Sequence, residues 1–337
     1  MKRIDGLFSQ VVTFENLYVS AHKALKGKKD KATVGAFYFG LENEIIKLQE
    51  ELVSEEYQPR PFRQFEIREP KVRNICSSDF RDRVVHHAIC NILDPLIEAR
   101  LIHDTYACRV GKGGHAAMRR AQQFARKFNY FLKCDIQKYF ESIDHKTLRE
   151  FIRRLIKDRK LLALLDKIIS HQPPDASKER GLPIGNLTSQ HFANLYLGVL
   201  DHWIKEEKGI KAYVRYMDDF ICFANEKAAL WALLEEMRPF LWNRLKLTLK
   251  EKVTRISPVT EGVPFLGFHI FPNMTRIQRP NLIRLRRKMK AKERAFRNGQ
   301  LSLKELQSSV GSMIAHISHT DTLSLRRKEF LNLKSLA

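Results

Sequence analysis

The segment VRYMDDFICF, residues 214–223, places two adjacent aspartates inside a run that is otherwise almost wholly apolar or aromatic. The apolar residues on both sides predict two buried strands of a hairpin, with Asp218 and Asp219 at their junction. Aspartate pairs are also common in surface turns, but like charges close to an apolar core are costly unless something compensates them. The hairpin therefore predicts a cation beside these two carboxylates.

A third carboxylate, Asp135, ends another apolar run, FLKCD. If that run is a strand beside the hairpin, three carboxylates meet and can hold two ions about 3.5–4 Å apart, as in phosphoryl transfer. Mg²⁺ is the expected ion because it is held by one or two carboxylates together with phosphates and water. Mn²⁺ is the alternative. Asp135, Asp218 and Asp219 are the predicted catalytic residues.

The charge of the chain indicates a polyanionic partner. Its 337 residues include 60 Lys and Arg against 38 Asp and Glu, a net charge of +22, and nucleic acid is the default partner of such a protein. No stretch approaches the roughly 18 apolar residues that span a bilayer, and the N-terminus lacks the apolar core of a signal peptide. We therefore expect a cytoplasmic protein without a membrane partner.

The five cysteines are odd in number, widely separated and without a C-x-x-C pair. Such a pattern indicates neither a disulfide framework nor zinc chemistry. We interpret all five as buried thiols in a reducing compartment.

The order of strand-like and helical patterns predicts an α+β fold, with an antiparallel sheet that carries helices on one face. FRQFEIREP is typical of a strand and the following KVRN of a turn, and KLTLK and PFLGFHI predict two further short strands. Asp144 is placed as the N-cap of a helix.

A basic helix is predicted near the C-terminus. Between Arg276 and Arg297 there are ten basic residues and one acidic residue, Glu293. A solvated charged face is the simpler interpretation of a charge run, but so few counter-charges favour contact with phosphates. The predicted backbone contacts are Arg284, Arg286, Arg287, Lys288, Lys290 and Arg294.

Several motifs in register resemble the palm of reverse transcriptases. They are Asp135-Ile136-x-x-x-Phe140, GLPIGNLTSQ, YMDD, KLTLK and PFLGF, in that order. Upstream, EIREPKVRN and the segment that follows it resemble the fingers of bacterial enzymes of the group II intron type. Downstream, the basic helix and GSMIAHISHTDT resemble their thumb.

The resemblance implies a right-hand polymerase that makes DNA on an RNA template. Its parts would be an N-terminal helical extension (1–55), fingers (56–130), a palm (131–272, with an insertion around 145–180) and a short helical thumb (273–337). It also implies the cytoplasm of a bacterium or of a phage-infected cell.

The resemblance assigns roles residue by residue. Asp135 and Asp218 would bind the metal ions with the main-chain carbonyl of Ile136, and Asp219 would support them. Phe140 would exclude a ribose 2′-hydroxyl, so that dNTPs are selected over ribonucleotides. The remaining roles are the triphosphate grip (Lys71, Arg73), further dNTP contacts (Gly185, Gln190), the primer end (Tyr216, Met217) and an acid for the leaving pyrophosphate (Lys250 or Lys252).

GLPIGNLTSQ departs from the usual pattern of retroviral and intron enzymes, which carry Gln before the glycine and Ser-Pro at the end. Ile184 and Gln190 in those places resemble diversity-generating retroelement reverse transcriptases, which misincorporate opposite template adenines. Both would then be fidelity residues. The family's partners would be a template RNA that also primes cDNA synthesis, and a small basic accessory variability protein.

Two alternatives remain open. A defence-associated bacterial reverse transcriptase shares the palm signature, and genome neighbourhood would separate it from a diversity-generating enzyme. A catalytically idle RNA-binding protein of the same fold is disfavoured, because a pure binder has no need of three mutually repelling carboxylates.

Overall fold

The computed structural model describes residues 3–27, 32–68 and 72–330. Four helices open the chain: α1 (Phe8–Val11), α2 (Phe14–Leu25), α3 (Ala32–Phe39) and α4 (Leu41–Val53). Thr13 caps α2 by accepting a hydrogen bond from the Asn16 N–H. These helices bury their apolar faces against α5 (Phe80–Glu98), so that they share one large core with it.

A two-stranded antiparallel hairpin precedes α5. It pairs β1 (Arg63–Ile67) with β2 (Arg73–Ser77), with Arg63 opposite Ser77. The prediction of a strand in FRQFEIREP is confirmed. The prediction of a turn at KVRN is wrong in part, because Arg73 and Asn74 already lie in β2 and pair with Ile67 and Glu66.

The central sheet has four strands, all antiparallel, in the order β4-β5-β3-β6. Its strands are β3 (Tyr130–Asp135), β4 (Tyr213–Tyr216), β5 (Asp219–Ala224) and β6 (Arg255–Pro258). The predicted hairpin is confirmed as β4 and β5. KLTLK forms only an isolated bridge, between Leu249 and Ile136, because this segment pairs just beyond the end of β3.

Helices cover this sheet. They are α6 (Gly114–Ala125), α7 (Tyr139–Ser142), α8 (His145–Leu155), α9 (Arg159–Ser170), α10 (Leu187–His202), which continues in a π-helical turn, and α11 (Lys227–Leu245). Asp144 caps α8 as predicted, accepting a hydrogen bond of 2.8 Å from the Thr147 N–H. One sheet face joins the large core with α10 and α11, and the other forms a second core with α6 and a three-stranded sheet. The α+β prediction is confirmed.

The C-terminal part begins with that three-stranded sheet of β7 (Val263–Phe265), β8 (Phe268–Ile270) and β9 (Thr275–Ile277). PFLGFHI is thus two strands and not one, since Leu266 and Gly267 turn the chain between them with positive φ. The last helices are α12 (Arg279–Arg297), α13 (Leu303–Ser318) and α14 (Leu323–Phe330). A small third core joins α12 to α13.

The prediction that every cysteine is buried is wrong for Cys108. Cys76, Cys90, Cys134 and Cys222 are buried free thiols, whereas Cys108 is exposed in the loop before α6. Within the described ranges, no helix combines the length and the apolarity that crossing a membrane requires.

Candidate active site

The three predicted carboxylates meet at one end of the central sheet. Asp135 ends β3 and lies directly opposite Asp219, the first residue of β5. Asp218 occupies the turn between β4 and β5, and its carbonyl accepts a hydrogen bond of 3.3 Å from the Ile136 N–H. The antiparallel register alone therefore brings residues 83 positions apart, Asp135 and Asp218, to one site.

Asp218 carries the electrostatic cost of this arrangement. Burial raises the pKa of its carboxyl, and the negative charge of Asp135 raises it further. The positive charges of Lys133 and Arg73 act in the opposite direction. The ionised carboxyl is therefore disfavoured in the metal-free protein, and a divalent cation would relieve this cost.

Lys133 is a site residue that the sequence analysis missed. It lies two residues before Asp135 on the same face of β3 and forms a buried ion pair with Asp219. Burial lowers the pKa of its ammonium group to about 8, against the raising effect of the Asp135 carboxylate. A lysine two positions from a strand-end aspartate was the signal available in the sequence.

The oxygen donors fit a hard divalent ion. Asp135 and Asp218 supply carboxylates, and oxygen ligands are those that Mg²⁺ prefers. The main-chain carbonyl of Ile136 is the third predicted donor. Its neighbours bond to the 248–250 segment: Lys250 N–H donates to the Asp135 carbonyl at 2.8 Å, and Gln137 N–H donates to the Thr248 carbonyl at 2.9 Å. These two bonds flank the Ile136–Leu249 bridge, which is therefore a non-hydrogen-bonded pair. In such a pair the main-chain N–H and C=O of Ile136 point away from residues 248–250 and towards Asp218.

A buried charge network holds the turn that carries Asp218. Arg215 and Asp201 are both fully buried and form a two-bonded ion pair, in which Nε and Nη2 each lie 2.7 Å from a carboxylate oxygen. Arg215 Nη1 also donates to the carbonyl of Met217 at 2.9 Å. Met217 itself has a left-handed φ of 58°. The network thus fixes the residue that immediately precedes the aspartate pair.

Further hydrogen bonds complete this network. The hydroxyls of Tyr213 and Thr105 donate to Asp201 at 2.7 and 2.8 Å. The Asn194 side-chain oxygen accepts from Arg215 at 3.2 Å. Arg215 was not among the predicted site residues, although a charged residue inside a strand otherwise buried on both faces was a visible signal.

The β1–β2 hairpin is joined to the GLPIGNLTSQ loop. Cys76 N–H donates to the carbonyl of Ile184 at 2.8 Å. Gly185 has a φ of +118°, and a Cβ there would lie 2.9 Å from the Ile75 side chain and 3.0 Å from the Cys76 carbonyl. Only glycine allows this close approach of the two backbones. On the same hairpin, Arg73 is exposed, with its charge acting on Asp218, whereas the predicted Lys71 lies outside the described residues.

The other predicted contacts lie on elements around the aspartates. Phe140 is half-buried in α7, and its carbonyl accepts a hydrogen bond of 2.7 Å from the Leu182 N–H. Gln190 lies in the first turn of α10, where its side-chain oxygen is 3.3 Å from the Cys108 thiol. Tyr216 is half-buried at the edge of the second core. Of the two predicted acids, Lys250 reaches Asp135, with 4.0 Å between Nζ and Oδ1, while Lys252 is exposed in the following turn.

The predicted backbone-binding residues share α12. Leu285 and Met289 bury one side of this helix against α13. Lys290 and Arg294 are exposed on it, and Arg284 is half-buried. Arg286 forms a two-bonded ion pair with Glu329 of α14, at 3.0 and 2.6 Å. Arg287 and Lys288 are exposed on the same helix.

Comparison with known proteins gives a consistent result. Residues 67–270, more than half of the chain, match the family model described as reverse transcriptase (RNA-dependent DNA polymerase). Protein YkfC of Escherichia coli (strain K12) is 27% identical over 276 residues, covering 69% of this chain and 72% of that protein. Group II intron-encoded protein LtrA of Lactococcus lactis subsp. cremoris is 25% identical over 362 residues, covering 87% of this chain and 58% of LtrA.

Among solved structures, apo telomerase from Candida tropicalis, truncated from the C-terminal domain, aligns with a TM-score of 0.48 and 12% identity. The alignment covers 69% of this chain and 59% of that chain. This similarity is too low to carry a functional argument.

Proposed function

The chain belongs to the reverse transcriptase family of RNA-directed DNA polymerases, and from that premise we propose that it is the mutagenic reverse transcriptase of a diversity-generating retroelement. It copies a template RNA into cDNA and makes its errors mainly opposite adenine. The observation that supports this role is the loop of residues 181–190, where Ile184 and Gln190 depart from the usual pattern and where β2 of the hairpin docks.

The proposed chemistry is nucleotidyl transfer. Asp135, Asp218 and the carbonyl of Ile136 would hold two divalent ions, with Mg²⁺ as the expected ion and Mn²⁺ as the alternative. When bound, such ions would supply activation of the primer 3′-hydroxyl and stabilisation of the leaving pyrophosphate oxygen. Asp219 forms an ion pair with Lys133 and is a supporting carboxylate beside the two metal-binding aspartates.

The residues around the aspartates position the nucleotide. Arg73, with Lys71 beside it in the sequence, neutralises the triphosphate through charge-assisted hydrogen bonds. Phe140 excludes the 2′-hydroxyl of a ribonucleotide. Lys250 protonates the pyrophosphate, a role supported by its 4.0 Å distance from Asp135.

Low fidelity follows from the chemistry of Ile184. An apolar side chain offers no hydrogen bond to a base pair, and apolar contacts alone discriminate between similar ligands by only about 1–3 kcal/mol. Gln190 and Gly185 complete this contact with the incoming nucleotide. The proposed partners are the template RNA, its primer and cDNA, dNTPs, and a small basic accessory protein.

We assign the parts of the polymerase accordingly. Residues 1–55 are an N-terminal extension, 56–130 the fingers, 131–272 the palm and 273–337 the thumb. Along α12 of the thumb, the exposed cations Lys290 and Arg294, with Arg284, Arg286, Arg287 and Lys288, contact the nucleic-acid backbone.

The test is primer extension on a defined RNA template with dNTPs and Mg²⁺, followed by sequencing of the cDNA. The wild type should extend with errors concentrated opposite adenine, and the Asp218→Asn, Asp219→Asn double variant should not extend. Ile184→Gln should lower the adenine error rate. Ile46→Gln, the same change at an exposed position of α4, should leave it unaltered.

Each other outcome points to a different protein. Accurate synthesis would favour a defence-associated reverse transcriptase. Absence of extension, even with the cognate RNA and accessory protein, would favour an RNA-binding protein without catalysis.

A further inference from the structure

A cavity of about 430 Å³ opens between α2, α5 and α10, with the loop before α6 on its rim. Its lining includes Lys23 of α2, Asn91 and Asp94 of α5, and His191 of α10. None of these residues belongs to the proposed polymerase site. The chemistry of its floor differs from the all-oxygen chemistry of the three aspartates.

Three possible metal ligands meet beside this cavity: Asp94 and His191 line it, and Cys90 is buried next to them. Cys90 and Asp94 are one turn apart on the same side of α5, and His191 faces them from α10. The Cys90 thiol, one Asp94 oxygen and one His191 nitrogen all lie within 4.8 Å of one another. Ligands bound at about 2.0–2.3 Å to one tetrahedral ion are about 3.3–3.8 Å apart, so small side-chain rotations complete the geometry.

We propose that Cys90, Asp94 and His191 form a zinc site that clamps α5 to α10. Thiolate and imidazole ligands select zinc over Mg²⁺, which prefers oxygen. Three protein ligands leave a fourth position, and the cavity gives a path by which the ion enters and water completes the tetrahedron. This inference does not rest on the proposed function.

Two of the three side chains already lie next to each other, with His191 Nδ1 2.9 Å from an Asp94 oxygen. Binding of the ion to the Cys90 sulfur displaces the thiol proton to solvent, since the thiolate is the form that binds zinc.

The clamp has a structural consequence near the proposed nucleotide site. His191 directly follows Gln190, so an ion bound to His191 fixes the first turn of α10 relative to α5. It adds to the existing packing of these two helices, which bury Leu93 and Phe192 in the same core.

The test uses Co²⁺ as a zinc probe, because a cobalt–thiolate bond absorbs in the near ultraviolet. Metal-free full-length protein is titrated with Co²⁺ in excess Mg²⁺. We expect one equivalent with thiolate-to-cobalt absorption, displaced by Zn²⁺. Cys90→Ser and His191→Gln should abolish that absorption, whereas Cys108→Ser, the exposed thiol on the rim, should keep it. The Asp218→Asn, Asp219→Asn variant should also keep it, which separates this site from the polymerase site.

Thermal melting with and without Zn²⁺ guards against variants that do not fold. Zn²⁺ should raise the melting temperature of the wild type and of Cys108→Ser, and should leave that of folded His191→Gln unchanged. Absorption that persists in Cys90→Ser, or a wild type that shows neither absorption nor a melting shift, would overturn the proposal.

Discussion

The buried ion pair between Asp201 and Arg215 offers the sharpest test of how the aspartate turn is held. Asp201→Asn leaves the Arg215 guanidinium in place without its counter-charge, in a site from which solvent is excluded. Breaking one side of such a pair costs about 3–5 kcal/mol in the free energy of unfolding. Since whole proteins have about 5–15 kcal/mol of stability, this single change should remove a large part of it.

The structure also supplies a matched control. Arg238 and Glu251 form an equally well-aligned pair, with two hydrogen bonds of 3.0 Å, but both side chains are exposed. Glu251→Gln should cost less than about 1 kcal/mol, because water screens an exposed pair. The contrast between the two variants therefore isolates burial as the cause.

The assay is urea denaturation of both variants in the metal-free state, with primer extension measured below the unfolding transition. Arg215→Lys is the informative second variant, since lysine keeps the charge but cannot bond both Asp201 and the Met217 carbonyl. We expect it to extend primers more slowly even where it is folded. If Asp201→Asn unfolds within about 1 kcal/mol of the wild type, the network does not hold the turn and the reasoning fails.

Three further predictions concern stability. Asp218→Asn should abolish polymerisation. In thermal melts it should also stabilise the metal-free protein at neutral pH by about 0.5–2 kcal/mol, because burial and Asp135 raise the pKa of Asp218 and penalise its charged form. A destabilised variant would contradict this prediction. Burial lowers the pKa of His86 to about 3 in the folded protein. As pH falls below 6.5, His86 is therefore protonated in the unfolded chain but stays neutral in the folded one, which favours unfolding. Stability should drop by about 2 kcal/mol between pH 7.5 and pH 5 in urea titrations, and His86→Phe should flatten that part of the profile. Gly185→Ala should destabilise the docked hairpin by about 1–3 kcal/mol and speed hydrogen exchange of the Cys76 N–H. In the control Gly111→Ala, the added Cβ has no neighbouring atom within 4 Å, so this variant should lose only about 1 kcal/mol through backbone strain.

The sequence predicted the parts of this molecule that local patterns determine. The β4–β5 hairpin follows from the apolar runs on both sides of an aspartate pair, and the cap at Asp144 from its place before a helix. The split of PFLGFHI was missed because Leu266 adopts a positive φ that its residue type does not announce. KLTLK looked like a strand, but only Leu249 bridges to Ile136, since β3 ends at Asp135.

Long-range partners lay beyond the reach of sequence patterns. Asp201 lies in the last turn of α10, and nothing in the local sequence indicates that it faces Arg215 of β4 across the core. Likewise, Cys90 and His191 are about 100 positions apart, and only the packing of α5 on α10 brings them together. Both cases need the register of whole elements, which is set by tertiary packing rather than by spacing along the chain.

Asp218 and Asp219 differ in how their negative charges are compensated, and this difference explains why the chain tolerates two adjacent aspartates. Strand alternation directs Asp219 to the face of the sheet that carries Lys133, so its charge is compensated within the protein. Asp218 stands in the turn instead, where burial and the Asp135 charge raise the pKa of its carboxyl against the opposing charges of Lys133 and Arg73. The protein thus pairs one carboxylate with its own lysine and leaves the remaining cost of the other to be relieved by a bound cation. A positively charged chain can hold such a site because the repulsion that remains falls on Asp218 and Asp135, the two residues that share the proposed metal ions.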